Sequence, residues 1–122
     1  NPSQEKYRIL VLGLTFKENV PDLRNTKVTD VIQALESFGN EIAVTDSLAL
    51  PEEALEYYGI SLGNLEDLSN FDCLVGAVPH ETYKTFSKKD FEYLVKPNGL
   101  IVDIKNMWDV KEIPSTRSFL KL

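Results

Sequence analysis

The sequence is poor in the residues that build cross-links and metal centres, since its 122 residues include one cysteine and one histidine. The single cysteine excludes an internal disulfide framework and fits a reducing compartment. The lone His80 has no serine, cysteine or second histidine at a useful spacing, so neither a catalytic triad nor a metal site is indicated. No apolar run approaches the roughly 18 residues that cross a bilayer, and no signal peptide is recognisable. We therefore expect a soluble, cytoplasmic protein with no membrane partner.

Positive charge is also scarce. Lysine and arginine number 13 against 19 aspartates and glutamates, which gives a net charge of -6 and a pI near 4.8. This balance argues against a nucleic-acid-binding surface. An acidic domain can still bind a nucleotide where a few cations converge. The length predicts one domain, residues 1–122, and the apolar fraction of 43% is ordinary for a soluble globular protein.

Short apolar runs alternate with amphipathic segments, which indicates βαβ units. Strands are predicted at residues 8–12, 41–45, 73–78 and 100–103, with a brief strand at Ile60 and Leu62 and edge pairing at Phe119 and Leu120. Helices are predicted at residues 26–38 and 51–58, and a short helical turn at 64–68. A further helix is predicted from the N-cap Ser87 to Val95, with Asp90 completing a variant of the capping box. Residues 96–99 are predicted to form a turn, and the tail from residue 106 to be irregular.

The predicted fold class is α/β, a three-layer Rossmann-like sandwich with a mainly parallel sheet. In such folds ligands bind outside the carboxyl ends of the strands, at the point where the strand order reverses. Residues 13–24, Asp46, 79–80 and 103–106 all follow predicted strands. We expect them to gather along one edge of the domain.

The segment 13–24 reads GLTFKENVPDLR and leaves the first strand directly. Gly13 allows close approach of the backbone, Lys17 supplies a mobile charge and Arg24 a planar fork, which together suit an anionic ligand. The segment lacks the further glycines of G-x-G-x-x-G, and Phe16 would block a pyrophosphate. Without those glycines, Asp46 is only a weak signal for ribose binding. A primary NAD site is therefore not expected in this chain.

The pattern G-x-x-F-K-x-x-x-x-D-x-R, filled by Gly13, Phe16, Lys17, Asp22 and Arg24, resembles the hallmark of the C-terminal, UDP-binding domain of the UDP-glucose/GDP-mannose dehydrogenase family. The resemblance extends from Tyr7 to about Asn106. It implies that Phe16 and Lys17 contact the nucleotide-sugar and that Arg24 reaches the NAD phosphates across a domain interface. Asp22 is expected to orient Arg24 or to brace the loop.

Three further segments carry weaker signals. DIKN resembles the family's D-x-R-N, whose basic residue approaches the substrate, so Lys105 is a candidate for substrate binding, with a plain surface lysine as the alternative. AVPH resembles the version found in dehydrogenases of UDP-N-acetylhexosamines, although a lone His80 is more often structural. Cys73 is expected to be inert core, because the family's nucleophilic cysteine lies in a motif upstream of this domain.

The resemblance implies that the chain is the C-terminal domain of an NAD-dependent UDP-sugar 6-dehydrogenase. Such an enzyme converts a UDP-hexose or UDP-N-acetylhexosamine to the uronic acid, and the resemblance implies that this is a step in the synthesis of surface polysaccharides. No catalytic residue and no metal ligand is expected here, so the chain alone should be inactive. NAD would be bound mainly by a missing N-terminal domain. The expected partners are the UDP-sugar, the N-terminal and central domains, and further copies of the parent enzyme.

A different class of function stays open on the sequence alone. The chain could be a stand-alone, Rossmann-like nucleotide-binding or regulatory module without catalysis. Its first residues, NPSQEKY, contain no initiator methionine and lead almost at once into a strand, which favours an excised domain.

Overall fold

The structure, a computed structural model, describes residues 6–122. The expectation of an excised domain rests mainly on residues 1–5, which lie outside this range. The strands are β1 (Arg8–Leu12), β2 (Glu41–Thr45), β3 (Phe71–Gly76), β4 (Val95–Asp103) and β5 (Ser118–Lys121). The helices are α1 (Val28–Ser37), α2 (Pro51–Tyr58), α3 (Glu81–Lys84) and α4 (Lys88–Leu94), with short 3-10 turns at Leu65–Asp67 and Val110–Glu112. None of the helices in the described range is long and apolar enough to cross a membrane.

The strands form one sheet in the order β2-β1-β3-β4-β5, and all four neighbouring pairs are parallel. The chain passes from β1 to β2 on one side and then crosses to β3 on the other side of β1. In a doubly wound sheet this reversal opens a crevice at the carboxyl ends of the two strands. The switch point therefore lies where β1 ends at Leu12 and β3 ends at Gly76.

Successive residues of β1 face opposite sides of the sheet, as strand geometry requires. Leu10 and Leu12 belong to a core that includes side chains of α3, of α4 and of the segment after β4. Ile9 and Val11 belong to a second core, which includes side chains of α1 and α2. The predicted three-layer α/β sandwich with a parallel sheet is thus confirmed.

Several predicted elements have the predicted bounds, namely β1, β2 and α2. The capping box is also confirmed, because the backbone N–H of Ser87 donates to the Asp90 carboxylate at 2.7 Å. The predicted helix 26–38 is shortened to Val28–Ser37, and its start is braced by the hydroxyl of Thr26, which accepts the N–H of Val28 at 3.1 Å.

Two strand predictions need correction. Ile60 and Leu62 form no strand; they are half-buried and pack against the second core. The strand predicted at residues 73–78 lies two residues earlier, because the N–H groups of Ala77 and Val78 both donate to the carbonyl of Leu12 and turn the chain out of the sheet. Helix α3 follows directly and is missing from the sequence-based prediction.

The turn predicted at residues 96–99 is wrong, because β4 runs through this segment. The turn-forming residues appear instead as an irregularity within the strand: Phe71 pairs with Val95 but Cys73 pairs with Leu100, so β4 carries three extra residues there. Asn98 takes a φ of 68° at this bulge. The predicted edge pairing of the tail is confirmed, since β5 pairs with β4.

One face of the sheet is only partly covered. Beside α1, the face formed by β3 and β4 opens into a groove of about 620 Å³. Its lining is mainly apolar and includes Leu35, Cys73, Val102 and Ile104, each of them half-buried. Parallel sheets ordinarily have both faces covered. The groove is therefore an incomplete layer of the sandwich.

Candidate functional site

A cleft of about 190 Å³ lies at the switch point of the sheet. It is lined by residues 15–18 after β1, residues 25–28 at the start of α1, residues 77–79 after β3, and Lys105 after β4. The structure thus brings Phe16, Lys17 and Lys105, the three residues predicted to bind substrate, to one place. Four chain segments converge there because the carboxyl ends of parallel strands share one edge.

The cleft is rich in positive charge although the chain is acidic. Lys17, Lys27 and Lys105 line it, against the single carboxylate of Glu18. The cleft also adjoins the amino end of α1, where backbone N–H groups and the helix dipole favour an anion. Phe16 is 54% exposed and offers an apolar ring at the rim. An anionic ligand with an aromatic or apolar portion suits this combination.

Lys27 is a site residue that sequence reasoning missed. It directly precedes α1 and serves as its N-cap position. The sequence does contain a usable signal, because a basic residue at the start of a helix that follows β1 must lie near the switch point. That signal depends on knowing where the helix begins, and α1 starts two residues later than predicted.

The loop after β1 begins at a glycine for a steric reason. Gly13 has a φ of 98°, and a Cβ added there would lie 2.5 Å from the Cβ of Val78. The loop and the end of β3 therefore approach each other more closely than any other residue allows. The loop is then closed by the N–H of Phe16, which donates to the carbonyl of Asp22 at 2.7 Å.

Asp46, directly after β2, supports this loop through its carboxylate. Oδ2 accepts the N–H groups of Leu14 at 2.6 Å and Thr15 at 3.1 Å, and Oδ1 accepts the two N–H groups of Leu48 and Ala49. Burial would raise the pKa of Asp46, but hydrogen bonds from His80 and from backbone N–H groups outweigh burial and lower the pKa from 3.8 to about 2. The carboxylate is an ionised anchor for the loop.

His80 is the second support of the loop and lies on the segment between β3 and α3. The side chain is 1% exposed. Its Nδ1 accepts the backbone N–H of Asn19 at 2.9 Å. Because a backbone N–H can only donate, the ring hydrogen is assigned to Nε2, which lies 3.0 Å from both Oδ2 of Asp46 and Oγ1 of Thr15.

Lys105 is carried by a tight turn that a buried carboxylate holds. Asp103 is fully buried, and its two oxygens accept the N–H groups of Met107 at 3.0 Å and Trp108 at 2.9 Å. Asn106, next to Lys105, takes a φ of 57° within this turn. The Lys105 side chain itself is exposed. The turn therefore presents the ammonium group of Lys105 at the cleft on a fixed backbone.

Arg24, predicted to contact the cofactor, lies apart from the other site residues. It borders a separate depression with Glu53 and Tyr57, and its side chain is 77% exposed. Asp22 holds the guanidinium through two contacts of 3.1 Å, from Nε to Oδ1 and from Nη2 to Oδ2. The guanidinium in turn lowers the pKa of Asp22. Asp22 thus contacts Arg24 through its carboxylate and the loop through its backbone carbonyl, as both expected roles require.

Cys73 is half-buried on β3 and borders the apolar groove. Burial raises the pKa of the thiol to about 11, with a further contribution from the charge of Asp72. A thiol with this pKa is not a nucleophile near neutral pH. The raised pKa agrees with the expectation of an inert cysteine, although the residue is less deeply buried than the sequence suggests.

Within the described residues, 6–122, neither the loop after β1 nor the acidic side chains form a dinucleotide or metal site. Behind Gly13 the loop has the ring of Phe16 in place of glycines, and both oxygens of Asp46 are engaged by protein groups. Within residues 6–122, no group of three histidine, cysteine, aspartate or glutamate side chains could hold a metal ion. The three lysines that line the cleft are suited to a phosphate-bearing ligand.

Comparison with known proteins gives a consistent result. The sequence model of the UDP-glucose/GDP-mannose dehydrogenase family, UDP binding domain, matches residues 10–110. Protein CapL of Staphylococcus aureus is 41% identical over 112 residues, and UDP-N-acetyl-D-glucosamine 6-dehydrogenase of Pseudomonas aeruginosa is 35% identical over 102 residues. These matches cover 92% and 84% of the chain but 26% and 24% of the relatives. The chain therefore spans about a quarter of the length of these curated relatives.

Solved structures show the same fold. The crystal structure of NDP-N-acetyl-D-galactosaminuronic acid dehydrogenase from Methanosarcina mazei Go1 superimposes with a TM-score of 0.80. The match covers 97% of this chain and 25% of that one, at 21% sequence identity. At this identity the likeness establishes the architecture alone.

Proposed function

Since the chain belongs to the UDP-glucose/GDP-mannose dehydrogenase family, as its UDP binding domain, we propose that it is the nucleotide-sugar-binding domain of an NAD-dependent UDP-sugar 6-dehydrogenase. The observation that carries the proposal is the cleft at the switch point, where Lys17, Lys27 and Lys105 converge at the amino end of α1. A diphosphate fits this arrangement because it carries negative charge on two adjacent groups.

In this proposal different residues of the cleft contact different parts of the ligand. Lys17 and Lys105 hold the diphosphate from opposite sides, one from the loop after β1 and one from the turn after β4. Phe16 packs its exposed ring against the apolar part of the nucleotide-sugar. None of these groups takes part in bond making. They contribute binding energy remote from the reacting carbon, which orients the substrate for the rest of the enzyme.

The proposed substrate is a UDP-N-acetylhexosamine. The name of the Pseudomonas relative supports this choice, as does UDP-N-acetyl-D-mannosamine dehydrogenase of Methanococcus vannielii, which is 34% identical over 110 residues. The AVPH segment, residues 77–80, points the same way. The product would be the corresponding uronic acid, for use in surface polysaccharide synthesis in the cytoplasm.

We further propose that the apolar groove beside α1 is covered by another part of the same polypeptide. The relatives are about three and a half times as long as this chain. Tyr7, directly before β1, and Leu122, directly after β5, both line the groove, so the chain enters and leaves the sheet at its rim. The N-terminal and central domains of a parent enzyme, which is itself expected to be a homo-oligomer, would supply this cover and the catalytic cysteine.

NAD is proposed to bind mainly to the N-terminal domain of the parent enzyme. This chain would contribute Arg24, whose exposed guanidinium lies outside the cleft. When bound, NAD accepts the hydride removed from the sugar. Asp22 keeps the guanidinium oriented until a phosphate competes for it.

Kinetics of the full-length enzyme test this division of roles. Lys17→Ala is expected to raise the KM for the UDP-sugar about ten- to a hundredfold, because one charge-assisted contact is worth roughly 1.5–3 kcal/mol. Arg24→Ala is expected to raise the KM for NAD instead, and Arg24→Lys to restore only part of it. Lys89→Ala, an exposed lysine of α4, is the matched control. Variants that lose stability but keep both KM values would show that Lys17 and Arg24 are structural.

A further inference from the structure

We propose that His80 is a positioning residue for the loop that carries Phe16 and Lys17. The inference rests on the proposed function, because it assigns His80 to the ligand site of that function. His80 is buried, yet its two ring nitrogens face one loop, the loop after β1, and its anchor Asp46. The histidine does not itself line the cleft, so it acts on the ligand only through the residues it holds.

Nδ1 of the ring takes part in a pair of hydrogen bonds that joins the loop to α3 through Asn19; we call this pair the clasp. Nδ1 accepts the N–H of Asn19 at 2.9 Å, and the side-chain oxygen of Asn19 accepts the N–H of Glu81 at 2.9 Å. Asn19 takes a φ of 62°, which few residues other than asparagine and glycine adopt easily. The far side of the loop is thereby tied to the segment on which His80 itself lies.

The other end of the ring leads to Lys17. Nε2 lies 3.0 Å from Oγ1 of Thr15, and that hydroxyl donates to the backbone carbonyl of Lys17 at 3.0 Å. Oδ2 of Asp46 fixes the same nitrogen at 3.0 Å. A chain of hydrogen bonds therefore runs from a buried carboxylate through His80 and Thr15 to the backbone of the residue proposed to hold phosphate.

This network matters because packing contributes little at the loop tip. Phe16, Lys17, Glu18 and Asn19 are all exposed. His80 holds the backbone N–H of Asn19 directly through Nδ1. Through Nε2 it contacts the Thr15 hydroxyl, which donates to the backbone carbonyl of Lys17. A loop fixed before the ligand arrives does not have to be ordered on binding, and the affinity is correspondingly higher.

Three substitutions of His80 in this chain separate the two ends of the ring. His80→Asn places an amide oxygen near the position of Nδ1 and keeps an acceptor for Asn19. His80→Gln places an amide nitrogen near the position of Nε2 and keeps a donor toward Asp46, while His80→Leu keeps neither. We expect the Kd for UDP to rise about tenfold in His80→Leu and less in the two amide variants. A purely structural histidine predicts lower melting temperatures with an unchanged Kd for the folded fraction, which would overturn the inference.

A ligand-free measurement separates this inference from the proposed function. The amide hydrogen of Asn19 should exchange slowly in the wild type and in His80→Asn, and at least about tenfold faster in His80→Leu. Equal exchange in all three would contradict the positioning role. If the wild type fails to bind UDP, the proposed function fails, and the exchange pattern alone then decides whether His80 positions the loop.

A substitution at the surface tests the same contact in case the substitutions of the buried His80 prevent folding. Asn19→Gly tolerates the positive φ and removes the acceptor for Glu81, so it loosens the clasp without entering the core. We expect several-fold weaker UDP binding with little change in melting temperature. Asn70→Gly, at a φ of 60° outside the cleft, is the matched control. Equal UDP affinity of Asn19→Gly and Asn70→Gly would count against the clasp.

Discussion

Nε2 of His80 lies 3.0 Å from Oδ2 of Asp46, and both side chains are buried. The two residues are 34 positions apart in sequence and come from segments on opposite sides of β1 in the sheet. Their contact crosses the switch point beneath the loop that carries Lys17. The same carboxylate accepts backbone N–H groups from that loop. One buried carboxylate therefore holds both the loop of the proposed ligand site and His80.

The first prediction concerns acid stability. The pKa of Asp46 is about 2 in the folded chain against 3.8 ordinarily, so its contribution is fully present above pH 3.8 and is lost as the pH falls toward 2. At neutral pH that contribution is about 2 kcal/mol, since one pKa unit corresponds to about 1.4 kcal/mol. Asp46→Asn should be less stable than wild type by this order at pH 7, with the difference shrinking between pH 3.8 and 2.

Denaturant unfolding at a series of pH values measures this. Glu56→Gln, an exposed carboxylate of α2, provides the control and should follow the wild-type curve. A constant difference between Asp46→Asn and wild type from pH 7 to pH 2 would show that the ionised carboxylate is not the source of the stability.

The second prediction concerns the glycine that opens the loop. Gly13→Ala combines a φ of 98° with a Cβ 2.5 Å from the Cβ of Val78, whereas Gly39→Ala has a φ of 89° and open space around it. The alanine at position 39 should cost about 1–2 kcal/mol for the backbone alone. The alanine at position 13 should cost roughly 1–3 kcal/mol more, because the contact adds overpacking. Urea unfolding of both variants gives the comparison, and equal losses would mean that the close approach to Val78 relaxes without cost.

The third prediction concerns the apolar groove. If the remaining polypeptide covers it, Ile104→Gln should destabilise the full-length enzyme clearly more than it destabilises this chain, where Ile104 is only half-buried. The added loss is the cost of burying a polar amide under the cover. Val110→Gln, 64% exposed and outside the groove, is the control. Thermal unfolding of both proteins measures the difference, and the same small loss in each would show that the groove stays open.

Much of the fold can be predicted from local sequence. The bounds of β1 and β2 follow from apolar runs that end at Gly13 and Asp46. Helix α2 begins at Pro51 because proline is favoured at the first position of a helix. The bulge at residues 96–99 could not be predicted in this way, because proline, asparagine and glycine indicate a turn whether or not the neighbouring strand continues beside them.

The candidate site also has a part that local sequence predicts and a part that it does not. Phe16, Lys17 and Lys105 could be placed together because each follows a strand, and strand ends share an edge. The roles of His80 and Asp46 in holding the loop could not be predicted, because the hydrogen bonds that link them to the loop and to each other join residues 31 to 65 positions apart. Nothing local distinguishes a histidine that holds a loop from one that only packs. Cys73 could be predicted only in part. Its low reactivity follows from its place in an apolar strand, but its partial exposure depends on the incomplete layer of the sandwich.

The position of the nucleotide site can be measured directly by NMR titration of the chain with UDP, with uridine as the matched ligand that lacks the phosphates. UDP should shift the amide signals of residues 15–18, 25–28, 77–79 and Lys105, which line the cleft. Because these segments form only part of an enclosed site, we expect a Kd for UDP of the order of 1 mM, about -4 kcal/mol. Uridine should bind more weakly, since it lacks the contacts to the lysines. Shifts that cluster outside these segments, or equal affinities for UDP and uridine, would contradict the assignment of the cleft as a diphosphate-binding site.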